Sequence, residues 1–211
     1  MEIFNLGHAC FLFKGENVSF VVDPYQDGSV PNLRLPRVSA NYVFKSHEHS
    51  DHNAINLVKL EPTDTELRYE TIVVPHDHHN GEHRGLNIMH IFYVNGLKII
   101  HTGDLGCIPA PEVLEKMKNA DVILAPINGH FTISSLELAE ILKLIKPRLV
   151  VPMHYHKTSR NSGYPDGGQI DVFKRLVPNY LEVNDYKADI TEDLFKYDAL
   201  IFDKELQEVS R

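Results

Sequence analysis

The sequence predicts an α/β protein in which two β-sheets are covered by helices. Three observations predict it. The first hundred residues read almost entirely as short strands, whereas residues 111–176 alternate helical and extended patterns. Residues 122–126 and 149–152 are continuous apolar runs, as in strands buried on both faces. Polar residues with chemical potential follow directly on such runs, where a rigid scaffold carries its loops.

Residues 2–6, 9–14 and 18–23 are rich in Phe, Val and Ile and are separated by Gly7 and by Lys14-Gly15-Glu16-Asn17. They read as hairpin-linked strands. Asp23-Pro24 ends the third, and residues 26–37, with Gly28, Pro31 and Pro36, read as a loop. Residues 41–45 form a short buried strand that delivers the chain into Ser46-His47-Glu48-His49-Ser50-Asp51-His52. Residues 52–60 carry Ala54, Ile55, Leu57, Val58 and Leu60 and fit a short helix. Strands follow at 70–74, 86–94 and 97–101, the last two joined by the hairpin signal Asn95-Gly96. A helix at 111–118 precedes the strand at 122–126. The helix at 134–145 starts at Ser134 or Ser135, with Glu137 placed for a capping box, and Pro147 stops it. The strand at 149–152, a helix at 171–176 and one or two strands near 194–202 complete the chain. No repeat or linker interrupts it, so one domain over residues 1–211 is expected.

With 43% hydrophobic and 24% charged residues, the composition is that of a soluble globular protein. No apolar run approaches the ~20 residues that span a bilayer. The first residues lack a basic flank and a long apolar stretch. Cys10 and Cys107 are too few for a disulfide framework. A cytoplasmic protein without a membrane partner is therefore expected. The net charge of −8, with no basic face, argues against a nucleic-acid partner. Residues 163–168 are glycine-rich without a phosphate-loop pattern, and no Gly-x-Ser-x-Gly elbow supports serine hydrolysis. Oligomeric state leaves no mark.

The segment His47-Glu48-His49-Ser50-Asp51-His52 concentrates three imidazoles and a carboxylate. Such a cluster is costly to desolvate unless its groups are paired, and these are donors that zinc prefers. His47, His76, Asp104 and His154 each follow a predicted strand, so these positions converge if those strands share an edge. Two metal ions need about twice the three ligands of one catalytic zinc, with a group shared between them. His47, His49, Asp51, His52, His76, Asp104 and His154 divide into two groups of three with Asp104 able to bridge. His78, His79 and His83 crowd the loop of His76 and stand as alternatives to it. Two divalent ions are expected; zinc suits the histidine-rich set, and manganese, iron and nickel use similar ligands.

These residues resemble the metallo-β-lactamase superfamily. The resemblance is carried by His47-Glu48-His49-Ser50-Asp51-His52, His76, Gly103-Asp104 and Pro152-Met153-His154-Tyr155, and by Gly7-His8-Ala9-Cys10-Phe11 and Val22-Asp23-Pro24. It implies a four-layer αββα sandwich with the metals at one edge. His47, His49 and His76 would bind the first metal; Asp51, His52 and His154 the second; Asp104 would bridge, and Asp51 would also orient the water. The chain is further similar to small lone-domain hydrolases that include ascorbate-6-phosphate lactonase, through His76-Asp77, Arg84-Gly85-Leu86-Asn87, His101-Thr102-Gly103-Asp104-Leu105-Gly106 and Gly129-His130-Phe131-Thr132. That branch often has a histidine where this chain has Cys107. His49 stands where diiron relatives carry an acid, which implies hydrolysis.

The expected activity is metal-dependent hydrolysis by a metal-bridging hydroxide, at an ester, lactone, amide or phosphoester of a small molecule. Asp51 and His130 are the candidate catalytic residues, His130 as donor to a carbonyl or phosphoryl oxygen. Arg84 and Tyr155 are candidate substrate contacts, with His156 beside Tyr155. His8 and His101 are candidate supports for ligands, with Asp23 as a partner. The alternatives are a phosphodiesterase or nuclease of the same fold, or a non-catalytic metal-binding sensor.

Overall fold

Strand order rather than helix count positions the functional edge of this protein. The structure is a computed structural model that describes residues 1–155 and 169–206; His156 and residues 163–168 lie outside these. The first half runs β1 (Glu2–Gly7), β2 (Cys10–Lys14), β3 (Ser19–Val22), β4 (Ser39–Ala40), β5 (Tyr42–Phe44), β6 (Lys59–Leu60), β7 (Arg68–Pro75), β8 (Leu86–Val94) and β9 (Leu97–His101). The second runs α1 (Pro111–Met117), β10 (Val122–Pro126), α2 (Ser135–Ile145), β11 (Leu149–Met153), α3 (Gln169–Leu176), β12 (Tyr180–Val183), β13 (Lys187–Asp189) and β14 (Ala199–Phe202).

One sheet has the order β13-β1-β2-β3-β5, and the other β12-β14-β11-β10-β9-β8-β7. Residues alternate between two cores, as the two-residue period of a strand requires. Phe11, Phe13 and Phe20 of the first sheet meet Phe92, Leu124 and Val151 of the second in a core between the sheets. Ile123, Ala125 and Val150 face the other way, onto Leu138, Ile141 and Phe173 of α2 and α3. Burying each such large side chain contributes about 1.5–3 kcal/mol. α2 begins with the predicted capping box: the Glu137 N–H donates to Ser134 Oγ, and the Ser134 N–H donates to Glu137 Oε2.

The outer layer of the first sheet differs from the expectation of helices there. Leu6, Leu12 and Val21 are covered by Tyr25, Val30, Leu35, Ala40 and Val58, which lie on irregular chain and the β4–β6 ribbon. Residues 52–60 do not form an α-helix. Ile55–Leu57 make a single 3-10 turn, because the Ala54 N–H donates to Pro24 O and the Lys59 N–H to Val38 O. These tertiary bonds take donors that a helix would have used. β12 and β13 were not predicted: both are only three or four residues long, β13 is mostly polar, and they become strands by pairing with β14 and β1. The end of the chain holds a 3-10 turn at Glu192–Lys196 before β14.

Candidate metal centre

β3 pairs parallel with β5, and β9 parallel with β10, which pairs parallel with β11. β7 is two antiparallel steps from β9, and β1 two from β3, so both run with those strands. All these strands therefore end at one edge. They deliver His8, Asp23, Ser46-His47, His76, Asp104, Asn128 and His154 there. The sheets are tied together at that edge: the Ile88 N–H donates to Ser46 O, and the His154 N–H to His8 O.

Three of these strand-end residues take the left-handed conformation: His8 at φ 59°, Asp23 at 51° and His154 at 53°. Each costs about 1–2 kcal/mol for a residue with a Cβ. Such strain persists where surrounding structure over-determines it, as at functional sites. Gly103 has φ 56° for a second reason: a Cβ there would overlap Asn87 Oδ1 and Ser46 Cβ. Asn87 uses that proximity, its Oδ1 accepting from the Asp104 N–H at 2.8 Å and its amide donating to Thr102 O.

The side chains gather into two groups that share a carboxylate. Donor atoms of His47, His49 and His76 lie within 4.8 Å of one another, as do those of His8, Asp51, His52 and His154. Asp104 Oδ2 lies 3.3 Å from Nε2 of His52 and of His154, 3.5 Å from that of His76 and 3.9 Å from that of His47. His76 Nε2 is 3.3 Å from His49 Nδ1. His76, and not its neighbours, joins the first group. His78 bonds Glu137 at 2.6 Å, and His79 stacks on His83.

A hydrogen-bond network fixes the rings. His52 Nδ1–H donates to Asp23 Oδ2 at 2.9 Å. His47 Nδ1–H donates to Ser46 Oγ, whose hydroxyl donates to Asp23 Oδ2 at 2.7 Å; the Ser46 N–H donates to Asp23 Oδ1. One buried carboxylate thus sets both tautomers and turns both Nε2 atoms inward. His47 Nε2, His52 Nε2 and Asp104 Oδ1 are buried without a hydrogen-bond partner, as are Nδ1 of His8, His76 and His154. Unmet buried donors and acceptors are costly. Imidazoles held through their other nitrogen by a carboxylate are the usual arrangement of metal ligands, so these residues fit divalent cations.

The electrostatics agree. Burial drives His47 and His8 down to about 3, and lowers His49 and His76. These imidazoles are neutral at pH 7 and free to ligate. Burial also disfavours charge on His52, but Asp104 and Asp23 outweigh it and raise the ring well above its ordinary value. A cation at His52 Nε2 would therefore replace a proton. Burial opposes ionisation of Asp23, yet the charge and hydrogen bond of His52 hold it at about 2. Asp104 is held well below the carboxylate range, with His154 and His52 overcoming its burial.

His8 is the residue whose place the sequence reading undervalued. Its Nε2–H donates to Asp51 Oδ2 at 3.2 Å, and its ring packs 3.9 Å from that of His154. The available signal was a histidine directly after a strand that ends at the same edge. Asn87 gave no such signal, since only the pairing of β8 with β9 brings it to Asp104. His101, three residues before Asp104, is fully used: Nε2–H donates to Ala9 O, and Nδ1 accepts from the Gly103 N–H.

Beside the first group, the loop after His76 opens a cleft of about 360 Å³ lined by Asp77, His78, His79, His83, Arg84, His130 and Phe131. The buried Asp77 carboxylate holds this loop by accepting backbone N–H bonds from His79, Gly81, His83 and Arg84. Gly106 presses against the His76–Asp77 backbone, where a Cβ would overlap it. The predicted residues Arg84 and His130 both line this cleft. Tyr155 does not: its ring packs on the helix-side core, with Glu205, Glu182 and Asp203 close by. Cys107 is half-buried, and burial, then Glu137 and Asp77, raise its thiol, so a reactive thiolate is disfavoured. Among the described residues, no helix is long and apolar enough to cross a membrane.

Residues 2–154 match the sequence model of the beta-lactamase superfamily domain. The chain is 30% identical over 213 residues to a UPF0173 metal-dependent hydrolase of Thermococcus kodakarensis, covering 84% of this chain and 92% of that one. It is 28% identical over 192 residues to one of Carboxydothermus hydrogenoformans, covering 74% and 85%. A solved structure from Thermotoga maritima, described as a candidate zinc-dependent hydrolase of the metallo-beta-lactamase superfamily, superposes with a TM-score of 0.71 at 27% identity, over 95% of this chain and 97% of that one.

Proposed function

Because this chain belongs to the metal-dependent hydrolases of the beta-lactamase superfamily, we propose that its centre holds two divalent cations, zinc foremost, and cleaves an ester, lactone, amide or phosphoester bond of a small molecule. The observation that carries this reading is Asp104, whose Oδ2 stands within 3.9 Å of four imidazole nitrogens drawn from both histidine groups. His47, His49 and His76 would hold one ion, Asp51, His52 and His154 the other, and Asp104 both. When bound, such ions polarise an electrophile and lower the pKa of water toward neutrality.

The chain's own groups do the rest. Asp51 is ionised, since the His8 hydrogen bond and the His52 charge outweigh its burial, and it stays partly open to solvent. Its Oδ2 is held by His8, which leaves Oδ1 to orient a water and accept its proton. His8 thereby acts as a positioning residue for that carboxylate. The exposed His130 sits on the cleft wall, from which a ring N–H can donate to a developing oxyanion. Arg84 on the same wall is a substrate contact.

A panel of esters, lactones, thioesters and phosphodiesters, assayed with zinc, manganese, iron and nickel, tests this. Turnover that chelation abolishes and Asp51→Asn depresses is the expected result. Turnover that survives complete chelation, or none with any metal, would refute it. Preferential cleavage of RNA or cyclic nucleotides would move the protein to the nucleases of this fold.

A further inference from the structure

The cleft beside His76 has the chemistry of an anion receptor. The Arg84 guanidinium sits over the Phe131 ring, its carbon 3.9 Å from the ring centroid, and this contact ties the loop after β7 to the loop after β10. A stacked guanidinium keeps its edge free for a planar two-oxygen partner. Its Nε is buried and finds no hydrogen-bond acceptor. Among the described residues it forms no ion pair, although Asp77 lines the same cleft and Glu137 bonds its His78. Both are engaged elsewhere: Asp77 accepts four backbone N–H groups, and Glu137 accepts from Ser134 and His78. His79, His83 and His130 add ring N–H donors to the same walls.

Arg84 is half-buried, so water does not meet its Nε as it meets an exposed arginine's. Arg37, by contrast, pairs with Asp27, and Arg148 with Asp121 and Glu192. The loop that carries Arg84 leaves His76 directly, so the cleft begins at a metal-ligand position.

We propose that the Arg84–Phe131 stack is an anion subsite, which takes a carboxylate or phosphate carried by the substrate while the scissile bond lies at the metal centre. This deepens, and rests on, the hydrolase reading above. The substrate class is a small molecule with an oxyanion a few bonds from an ester, lactone, amide or phosphoester. The guanidinium would grip it through two parallel N–H···O bonds, a geometry that lysine cannot supply.

The test uses the metal-loaded full chain. Inorganic phosphate and acetate are each titrated calorimetrically into the wild type, Arg84→Gln and Arg84→Lys, with metal content measured for all three. Weakening of about tenfold or more in Arg84→Gln is expected for at least one of the two anions, the loss of a charge-assisted pair. Which anion weakens identifies the oxyanion as phosphate or carboxylate. Equal affinity in the wild type and Arg84→Gln would overturn the proposal, because both anions would then be held elsewhere. Should the glutamine variant fold poorly, the ¹⁵N-labelled wild type decides: the Arg84 Nε–H resonance, assigned by its absence in Arg84→Lys, must shift on anion addition, and a static resonance overturns the subsite. A pair of nitrophenyl esters, neutral and carboxylate-bearing, adds the link to catalysis: the wild type should favour the anionic ester in kcat/KM, and Arg84→Gln should lose that preference through KM. Arg84-dependent anion binding without turnover of any ester would sink the hydrolase reading and leave the subsite. Turnover without Arg84 dependence would do the reverse.

Discussion

Two buried aspartates, neither of them assigned to a metal, hold opposite sides of the centre by different means. Asp23 lies between the sheets and binds side chains: the His52 ring directly and the His47 ring through Ser46. Asp77 lies outside the sandwich and binds backbone: four N–H groups of the loop that presents Arg84. The first device fixes the tautomers and orientations of two rings. The second fixes a loop path and leaves its side chains open. Ligand placement needs the former, and the anion subsite proposed above rests on the latter.

The largest effect expected from this contrast is on metal binding. Asp23→Ala frees both imidazoles, and the affinity for zinc should fall about 10–100-fold, as for other outer partners of metal ligands. Asp77→Ala should change zinc affinity far less and should instead raise KM and lower the thermal midpoint. Competition with a chromogenic chelator, run on both variants, separates them. If Asp77→Ala lost more zinc than Asp23→Ala, the division of labour would be wrong.

Next come the two tight glycines, one on each side. Gly103→Ala drives a Cβ into Ser46 and Asn87 and adds about 1 kcal/mol of left-handed strain. Gly106→Ala drives one into the His76–Asp77 backbone. The former should reduce metal content, and the latter should act mainly on the first ion, through His76. Metal analysis of each purified variant reads this.

The metal-free protein should lose stability as pH falls from about 6.5 toward 4. His8 and His47 have folded values of about 3 and His90 of about 4, all held down chiefly by burial. The unfolded chain takes up protons in this window that the folded chain refuses. His52 acts in the opposite sense and in a higher window: its raised value makes stability rise as pH falls toward about 6.5, and below that its contribution is constant. Below pH 4, loss of Asp23 ionisation toward about 2 adds to the decline. Thermal midpoints should therefore fall steadily from about pH 6.5 to pH 4; a rise over that window would contradict the burial of these rings. The smallest effect belongs to the cap of α2. Ser134→Ala should cost about 1 kcal/mol and a few degrees in Tm, with metal content unchanged.

The same division explains what could be read from sequence. The His47–His52 motif was legible because its ligands are close in sequence and directly follow a strand. His76 was separable from His78, His79 and His83 because it alone abuts β7. Asn95-Gly96 named its hairpin through local turn chemistry, and Ser134 named its helix start through its cap. His8, Asn87 and the reach of Asp23 were not legible in full, because their partners lie far away in sequence and meet them only through strand order. The cover of the first sheet was misread as helix at residues 52–60, where backbone bonds to Pro24 and Val38 decide the path.

The central claim is one centre of two ions joined by Asp104. Equilibrium dialysis of the chelator-stripped chain against zinc, followed by elemental analysis, tests it most directly. The account predicts two zinc ions per chain for the wild type and a clear loss of bound zinc in Asp104→Ala. Saturation of the wild type at one ion, or an Asp104→Ala variant that keeps both, would contradict it.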